Sequence, residues 1–416
     1  MTENSLKNYR RLKFACYSGN ILMSVCNSVP PILFMSFRDL YGISYSFLGL
    51  LVLINFCSQL LLDLIFSFFS HKFDISKAIK SMPIFTFSGL SVYALAPVIF
   101  PNAVYVGLAI GTMLFSTSCG LSEVLISPIF AKIPSNDPDR EMSKLHSVYS
   151  WGAATSIIIG ALFITVFGSS NWQIFVLILA ALSLVSFVLF FKSDIPQMET
   201  PEKFSGAVSF IKDPMLWICF IAIFLGGAAE CTMSQWSSGY LEQAVKIPKL
   251  FGDVFGTALF AVAIGIGRSL YGKYGRNVEK VLILGSIGAT LCYVIAAVSP
   301  YPIIALFACA FTGFCTSMLW TGNLLMSSKR FATSGVFIFA FMAAGGDLGA
   351  SAGPQLVGIV TDIAMENPGL IELARSLQIS SEQLGMKLGM FVGALFPLLS
   401  VLFLCIIRRK NNSNIT

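Results

Sequence analysis

Charged residues are scarce in this sequence, at 12% of its 416 positions, and histidine occurs only twice, as His71 and His146. The sequence also lacks a GxxxxGKS/T phosphate loop, a GxSxG nucleophile turn and an HExxH zinc motif. Both histidines lie at the ends of apolar runs, where they offer little for acid–base or metal chemistry. We therefore expect no enzymatic activity and no ATP hydrolysis by this chain.

The ten cysteines show no CxxC spacing, and nearly all of them fall inside long apolar runs. This distribution argues against both a disulfide framework and a zinc knuckle. We expect the cysteines to act as small apolar side chains within helices. No metal and no organic cofactor is expected, apart from a coupling proton or sodium ion.

Long apolar segments are abundant: 56% of the residues are hydrophobic, and runs of about twenty residues recur from end to end. The first run contains Pro30 and Pro31 and is followed by many others, so we expect a retained helix rather than a cleaved signal. Hydropathy predicts twelve membrane-spanning helices, at residues 14–37, 46–69, 78–99, 103–130, 145–167, 172–191, 215–240, 251–272, 279–298, 302–327, 334–362 and 386–407.

Basic residues predict the orientation of these helices. With a cytoplasmic amino terminus, the 27 Lys and Arg residues fall on the cytoplasmic side except for Arg38, Lys246, Lys249, Arg375 and Lys387. Because cytoplasmic loops of membrane proteins are enriched in Lys and Arg, we expect both termini in the cytoplasm of a multi-pass protein. The net charge of +6 follows from this topology, so no nucleic-acid partner is expected.

The longest predicted cytoplasmic connection, 192–214, divides the chain into bundles at 1–191 and 215–416. The segment LYGISYSFLGLLVLINF after helix one resembles VKIPKLFGDVFGTALF after helix seven, which indicates an internal repeat. The predicted fold is therefore an all-α membrane protein of twelve helices in two pseudo-symmetric six-helix bundles. Such repeats, with a site at membrane depth, are typical of transporters.

Four acids fall well inside the predicted helices, at Asp63, Glu123, Glu230 and Asp347. No Lys or Arg is expected at the same depth, because Arg268 lies near the cytoplasmic end of helix eight. An isolated carboxylate in this setting holds a proton, binds a small cation or collects hydrogen-bond donors. Glu123 is thus expected to carry a proton or sodium ion or to bind solute hydroxyls. The alternative is a protonated Glu with a purely structural hydrogen bond.

Polar side chains recur at helical spacing on six helices, which is more than helix packing usually requires. Amides and carboxylates bind hydroxyl groups, and an indole ring covers the apolar face of a sugar. The alternative for each polar face is ordinary hydrogen bonding between helices. The candidate solute- or ion-binding residues are Asn27, Asn55, Gln59, Glu123, Glu230, Gln235, Trp236, Trp320, Asn323 and Asp347.

Helix number, the six-plus-six division and the basic loops resemble the major facilitator superfamily. The loop signature of that family, an acid followed by a basic residue and a Gly-Arg pair, is partly kept in GKYGR at 272–276. In HKFD at 71–74 only the basic residue is kept. The resemblance implies the twelve-helix transporter fold.

Within the superfamily, helix four is similar to that of the fucose permease-like sugar symporters. In that family a Gly-rich approach leads to a glutamate that is followed five residues later by proline, and Gly120, Glu123 and Pro128 match this pattern. The resemblance implies a role for Glu123 in proton-coupled sugar transport. The family also has an Asp four residues before a proline in helix one, where this sequence has Asn27 before Pro31. Asn cannot titrate, which leaves sodium coupling or uncoupled transport open.

The start of helix five, HSVYSWGA, also resembles the family pattern, with His146 and Tyr149 in place of two amides. We therefore expect a monomeric, alternating-access importer of a sugar or similar polar solute in a bacterial inner membrane, with the lipid bilayer and the solute as its partners. Proton-driven export of amphipathic compounds is the first alternative. A membrane sensor that carries no solute is the second.

Overall fold

The computed structural model describes residues 3–69, 72–135, 138–196, 212–275, 277–331 and 336–413. Over these residues the secondary structure is helical, and no strand occurs in the described ranges. The helices are α1 (Glu3–Tyr41), α2 (Tyr45–Phe69), α3 (Ile75–Ile99), α4 (Val104–Ala131), α5 (Pro138–Phe167), α6 (Trp172–Phe191), α7 (Pro214–Gln243), α8 (Lys249–Tyr274), α9 (Val278–Val298), α10a (Pro302–Thr316), α10b (Thr321–Arg330), α11 (Val336–Glu366), α12a (Ser381–Gly393) and α12b (Leu395–Ser413). Helix α8 contains a π-helical segment, Gly252–Ala258, and a short helix, Pro368–Ser376, precedes α12a.

Among the described residues, 11 helical segments are long and apolar enough to span a bilayer. Helix α11, with 31 residues, occupies the place of the remaining predicted span. The predicted all-α membrane fold is thus confirmed. Helices α1 and α5 begin earlier than predicted, at Glu3 and Pro138, because hydropathy detects only the part of a helix that crosses lipid and misses polar turns beyond it.

Several helix starts follow from local sequence. Asp74 caps α3 by accepting a hydrogen bond from the Lys77 amide, and Asp213 caps α7 just before a proline in its first turn. Ser380 and Gln383 form a reciprocal capping box at the start of α12a. Such side chains satisfy the amide groups that a helix leaves without partners at its amino end.

The chain separates into two compact units, each described by itself. Unit 1 comprises Met1–Leu33 and Ser58–Phe204, and unit 2 comprises Phe34–Cys57 and Ser205–Thr416. The sequence-based division differs by placing 34–57 in the first half. Of the predicted connection 192–214, residues 197–211 lie outside the described part of the chain.

Each unit has its own apolar core. In unit 1, buried side chains from α1, α2, α3, α4 and α6 pack together, among them Leu12, Met82 and Ile126. In unit 2, Leu216, Ile223 and Leu319 belong to a core that includes residues of α7, α9, α10b, α11 and α12b. Many large apolar side chains remain exposed, which is the pattern of a surface that faces lipid hydrocarbon.

The amino-terminal turns of α5 lie outside its membrane span and carry an acid that pairs with two lysines. Glu141 contacts Lys13 of α1, and it accepts a hydrogen bond of 2.6 Å from Lys144. The hydrogen bonds from Lys13 and then Lys144 lower the pKa of Glu141 to about 2. The carboxylate therefore stays ionised at neutral pH and links α5 to α1.

Candidate functional site

In unit 1, a polar network joins α1, α2 and α5. The Asn27 amide nitrogen donates to the Tyr149 hydroxyl at 3.3 Å, and the Gln59 amide nitrogen donates to the Asn27 amide oxygen at 3.5 Å. Tyr149 stands where the fucose permease-like pattern has an amide, so the aromatic hydroxyl supplies the polar atom at this position. Asn27 and Gln59, both candidates from sequence, are thus brought together.

Beside this network, α2 and α4 bring two acids close to each other. The carboxylate oxygens of Asp63 and Glu123 lie within 4.8 Å of one another. Asp63 is buried and Glu123 is half-buried. Neither α2 nor α4 contains Lys or Arg. Two carboxylates at this separation repel when both are ionised, so a proton on one of them or a small cation between them stabilises the pair.

Gly120 explains how the two acids meet. A β-carbon at Gly120 would lie 3.0 Å from the Leu62 β-carbon and 3.3 Å from the Gln59 carbonyl oxygen, which is tighter than most β-carbon contacts, so glycine favours the close approach of α4 to α2. One turn further along each helix lie Glu123 and Asp63. Asp63 was counted among the buried acids but not among the candidate binding residues, because sequence spacing within α2 does not show what lies opposite on α4.

In unit 2, the expectation that the buried acids lack a cationic partner is wrong for Glu230. Its carboxylate oxygen lies 3.3 Å from the Arg268 guanidinium. Arg268 is near the end of α8, as predicted, but its long side chain turns away from that end and reaches α7. The sequence shows where a residue sits along its helix, whereas the rotamer that carries its charge depends on neighbouring helices.

The Arg268 side chain also contacts a break in the tenth span, which hydropathy predicted as one helix over 302–327. The backbone departs from helix at 317–320, between α10a and α10b. The Thr316, Thr312 and Ser317 hydroxyls each donate to a carbonyl oxygen one turn back, a pattern that bends helices. Arg268 Nε donates to the Ser317 carbonyl at 3.0 Å and so satisfies an acceptor at the break.

Trp320, Glu230 and Asp347 are brought to one crossing of α7 and α11. A β-carbon at Gly346 would lie 2.6 Å from the Trp320 ring, and one at Gly227 would lie 2.4 Å from the Gly346 carbonyl oxygen. The two helices and the indole ring therefore touch where glycine leaves room. Glu230 follows Gly227 by one turn and Asp347 follows Gly346 directly, so one candidate from α7, one from α11 and Trp320 from the break in the tenth span lie near this crossing.

Two other candidates are fully buried in packing roles. Trp236 donates its indole N–H to the Pro354 carbonyl at 2.9 Å, and its ring packs against Phe34 and Tyr45 with centroids 5.7 Å apart in both cases. Asn323 donates to the Leu319 carbonyl at 2.6 Å and lies in the core. In this conformation neither side chain offers a surface to a solute. Asn55 and Gln235 are also buried, each 7% exposed.

A second polar arrangement in unit 2, which the sequence analysis missed, surrounds the link between α1 and α2. Glu382 of α12a lies 3.1 Å from Arg38 Nε and accepts a hydrogen bond of 2.7 Å from the Tyr45 hydroxyl. The Arg38 guanidinium lies 4.2 Å from the centre of the Tyr45 ring. Asp362 of α11 accepts hydrogen bonds from the backbone amides of Tyr45 at 3.1 Å and Ser46 at 2.7 Å. We name Arg38, Tyr45, Asp362 and Glu382 the latch.

The latch caps the start of α2 from a distant part of the chain. Helix α2 begins at Tyr45, and its first amides point at a carboxylate more than 300 positions away. A negative charge at a helix amino terminus is favourable because of the free amides and the helix dipole. No local sequence signal marks Asp362 as this cap, so only the tertiary structure reveals it.

One residue of each loop segment and one side chain of the helix-five pattern fall outside the part of the chain that the structure describes. These are His71, Arg276 and the side chain of His146.

The chain matches the family model of the Major Facilitator Superfamily over residues 16–354. Among curated proteins, no relative matches it. Solved structures share its fold: a bacterial homologue of the human lysosomal transporter Spinster, inward-facing and occupied, has a TM-score of 0.75 and 13% identity over 97% of each chain. A D-xylose–proton symporter has a TM-score of 0.71 and 14% identity over 94% of this chain and 97% of its own.

The fucose–proton symporter of E. coli also matches, with a TM-score of 0.58 and 15% identity over 96% of this chain and 99% of its own. A nucleoside transporter and a POT family transporter are further matches. At such identities the likeness is one of fold, and the solutes named for these proteins differ. The family match covers most of the sequence, and the resemblance expected from helix number and basic loops is confirmed. The chain belongs to the major facilitator superfamily of multi-pass membrane transporters.

Proposed function

We propose that this transporter imports a sugar or similar small polar solute by alternating access, driven by a proton or sodium gradient. The observation that carries the proposal is the pair of Asp63 and Glu123 beside the amide network of Asn27 and Gln59. A pair that needs a proton or cation, next to groups that bind hydroxyls, is suited to couple an ion to a solute. Intramembrane acids of this kind commonly serve ion pathways.

Unit 2, taken by itself, also holds groups that suit a hydroxylated solute. The half-buried Trp320 ring offers an apolar face, and Glu230 and Asp347 lie near it. Sugar recognition combines such a ring with convergent hydrogen-bonding groups. Two solved structures with the same fold are named as a D-xylose and a fucose symporter, which supports a sugar as the solute.

The latch is a group of contacts that would break and re-form during alternating access. With both termini in the cytoplasm, as the basic residues predict, the link between α1 and α2 lies on the opposite side of the membrane. Import from that side requires residues 34–57 to leave α11 and α12a. The latch is held by an ion pair, a hydrogen bond from a phenol hydroxyl and two hydrogen bonds from backbone amides. When the latch opens, water can take the place of the partner in each of these interactions.

The test is uptake of radiolabelled monosaccharides into proteoliposomes under imposed proton or sodium gradients. The unmodified protein is expected to accumulate a sugar, and Glu123→Gln is expected to lose accumulation while retaining exchange of solute across the membrane. Glu372→Gln, at an exposed position, is the matched control and should accumulate normally. Normal accumulation by Glu123→Gln would remove the coupling role from this residue.

Failure of every sugar under every gradient would refute import of sugars and lead to tests of amphipathic compounds as exported solutes. The orientation is tested separately by labelling single cysteines placed at Lys410 and Gly42 in a cysteine-free background. A membrane-impermeant reagent applied to intact cells is expected to label position 42 but not position 410. The reverse result would invert the proposed topology and the direction of transport.

A further inference from the structure

Arg268 directs its charge away from the nearer end of its helix, unlike most basic residues near the end of a membrane helix. Arg268 precedes the end of its span at Tyr274 by six residues, a rise of about 9 Å. Long basic side chains at such positions usually extend to the nearer membrane surface. Here the guanidinium contacts Glu230, near the middle of α7, and the break in the tenth span.

The Arg268 guanidinium has more hydrogen-bond donors than its protein contacts use. An arginine has five N–H groups. Its Nε donates to the Ser317 carbonyl, and one Nη2 donor serves Glu230. The remaining N–H groups have no partner among the residues that the structure describes. Both contacts involve the edge of the guanidinium formed by Nε and Nη2, and they fix the plane of the group. The other edge, the open edge, is formed by Nη1 and Nη2 and keeps N–H groups that are available to a ligand.

The exposed part of the Arg268 side chain is expected to face water rather than lipid. The Arg268 side chain is 39% exposed, although it lies within a membrane span. A charged side chain at such depth is unfavourable in hydrocarbon and is usually found facing a bundle interior or a water-filled cavity. A solute that enters this space can therefore reach the free donors of Arg268.

The chemistry of the open edge selects a carboxylate. A planar guanidinium binds a carboxylate through two parallel hydrogen bonds. Glu230 at 3.3 Å already supplies one negative charge beside the guanidinium. A doubly charged phosphate would be repelled more strongly than a single carboxylate. Trp320 lies three residues after Ser317 and can cover the ring of the same solute.

We propose that Arg268 binds the carboxylate of a singly charged, polyhydroxylated solute, so that the substrate is a sugar acid rather than a neutral sugar. This inference rests on the proposed function, because it names the solute class of the same importer. Glu230 is then a positioning residue that holds the Arg268 fork for the solute.

The experiment compares D-glucuronate, D-glucose and glucose 6-phosphate as labelled solutes in proteoliposomes of the unmodified protein. Glucuronate is expected to accumulate and to compete for uptake at least about tenfold better than glucose, the effect of a charge-assisted hydrogen bond. Equal or better competition by glucose overturns the inference and leaves the proposed sugar importer standing. Preference for glucose 6-phosphate overturns the choice of a singly charged solute. If no solute moves under any gradient, both proposals fail.

Substitutions of Arg268 test whether this residue is responsible for the preference for glucuronate. Arg268→Gln is expected to raise the KM for glucuronate about tenfold or more, with a smaller rise for Arg268→Lys, which keeps the charge but not the fork. Arg375→Gln, at an exposed position on the short helix before α12a, is the matched control and should leave KM unchanged. An unchanged KM in folded Arg268→Gln refutes the assignment.

Removing Arg268 leaves Glu230 without its cation, and such a variant can fail to fold. The double variant Arg268→Gln, Glu230→Gln removes both charges together and is expected to recover stability without recovering glucuronate uptake. Recovery of glucuronate uptake in the double variant would show that the pair is structural only. The competition assay needs no variant and decides the solute class in every case.

Discussion

The cap that Asp362 provides for α2 allows a quantitative test of the latch. Asp362→Ala removes the acceptor for the Tyr45 and Ser46 amides, at 3.1 and 2.7 Å. Loss of a side-chain cap costs about 1–2 kcal/mol. The local opening equilibrium at the start of α2 should therefore rise about 5- to 30-fold.

Hydrogen–deuterium exchange with mass spectrometry measures this opening directly. Peptides covering residues 44–50 are expected to exchange faster in Asp362→Ala by the factor given above, while peptides from the middle of α7 keep their rate. Asp74→Ala is the matched control, because Asp74 caps α3 through the Lys77 amide at 3.1 Å. That variant should accelerate exchange only near residues 75–78.

Two results would refute the reasoning. If Asp74→Ala accelerates exchange near α3 but Asp362→Ala leaves residues 44–50 unchanged, the Asp362 carboxylate does not hold the start of α2. If Asp362→Ala accelerates exchange throughout unit 2, the residue stabilises the whole unit and the contact is not a local latch.

Three further predictions follow from unit 1. Because Lys13 and Lys144 lower the pKa of Glu141 from 4.5 to about 2, its ionised form stabilises the fold above pH 4.5 and this contribution is lost as pH falls toward 2. The Tm difference between the unmodified protein and Glu141→Gln should therefore be constant from about pH 8 to 5 and should shrink toward zero at lower pH. A Tm difference that stays the same down to about pH 2 would contradict this. Tyr149→Phe removes the hydrogen-bond acceptor of Asn27 and should raise the KM of uptake about fivefold, whereas an unchanged KM would make the contact irrelevant to the solute. Gly120→Val should lower stability by about 1–3 kcal/mol in thermal unfolding and abolish gradient-driven accumulation, and normal accumulation would show that the close helix approach is not needed.

Parts of the candidate site were predictable because they depend on position along one helix. The polar face of Asn55, Gln59 and Asp63 repeats at four-residue intervals, and a helix places such residues on one side whatever surrounds it. The same holds for Glu123, three residues after Gly120 in an apolar run. These features need only the helical period and the cost of a charge in hydrocarbon.

Other parts depended on neighbours that sequence spacing does not show. Trp236 resembles a sugar-binding ring in sequence, yet it lies in a core between Phe34 and Tyr45. Arg268 resembles a surface anchor, yet its guanidinium contacts Glu230. In both cases the rotamer and the packing partner decided the role of the side chain.

The sequence by itself determined the membrane class, the succession of apolar helices and most of their limits, because these follow from hydropathy, helix caps and proline, which act over a few residues. Only the tertiary structure decided that Asp63 pairs with Glu123, that Arg268 reaches the break after α10a and that Asp362 caps α2. Each of these contacts joins residues that are far apart in the chain, and its geometry depends on how closely two helices approach. That distance depends on the side chains of both helices together, and a pattern along one helix does not contain it.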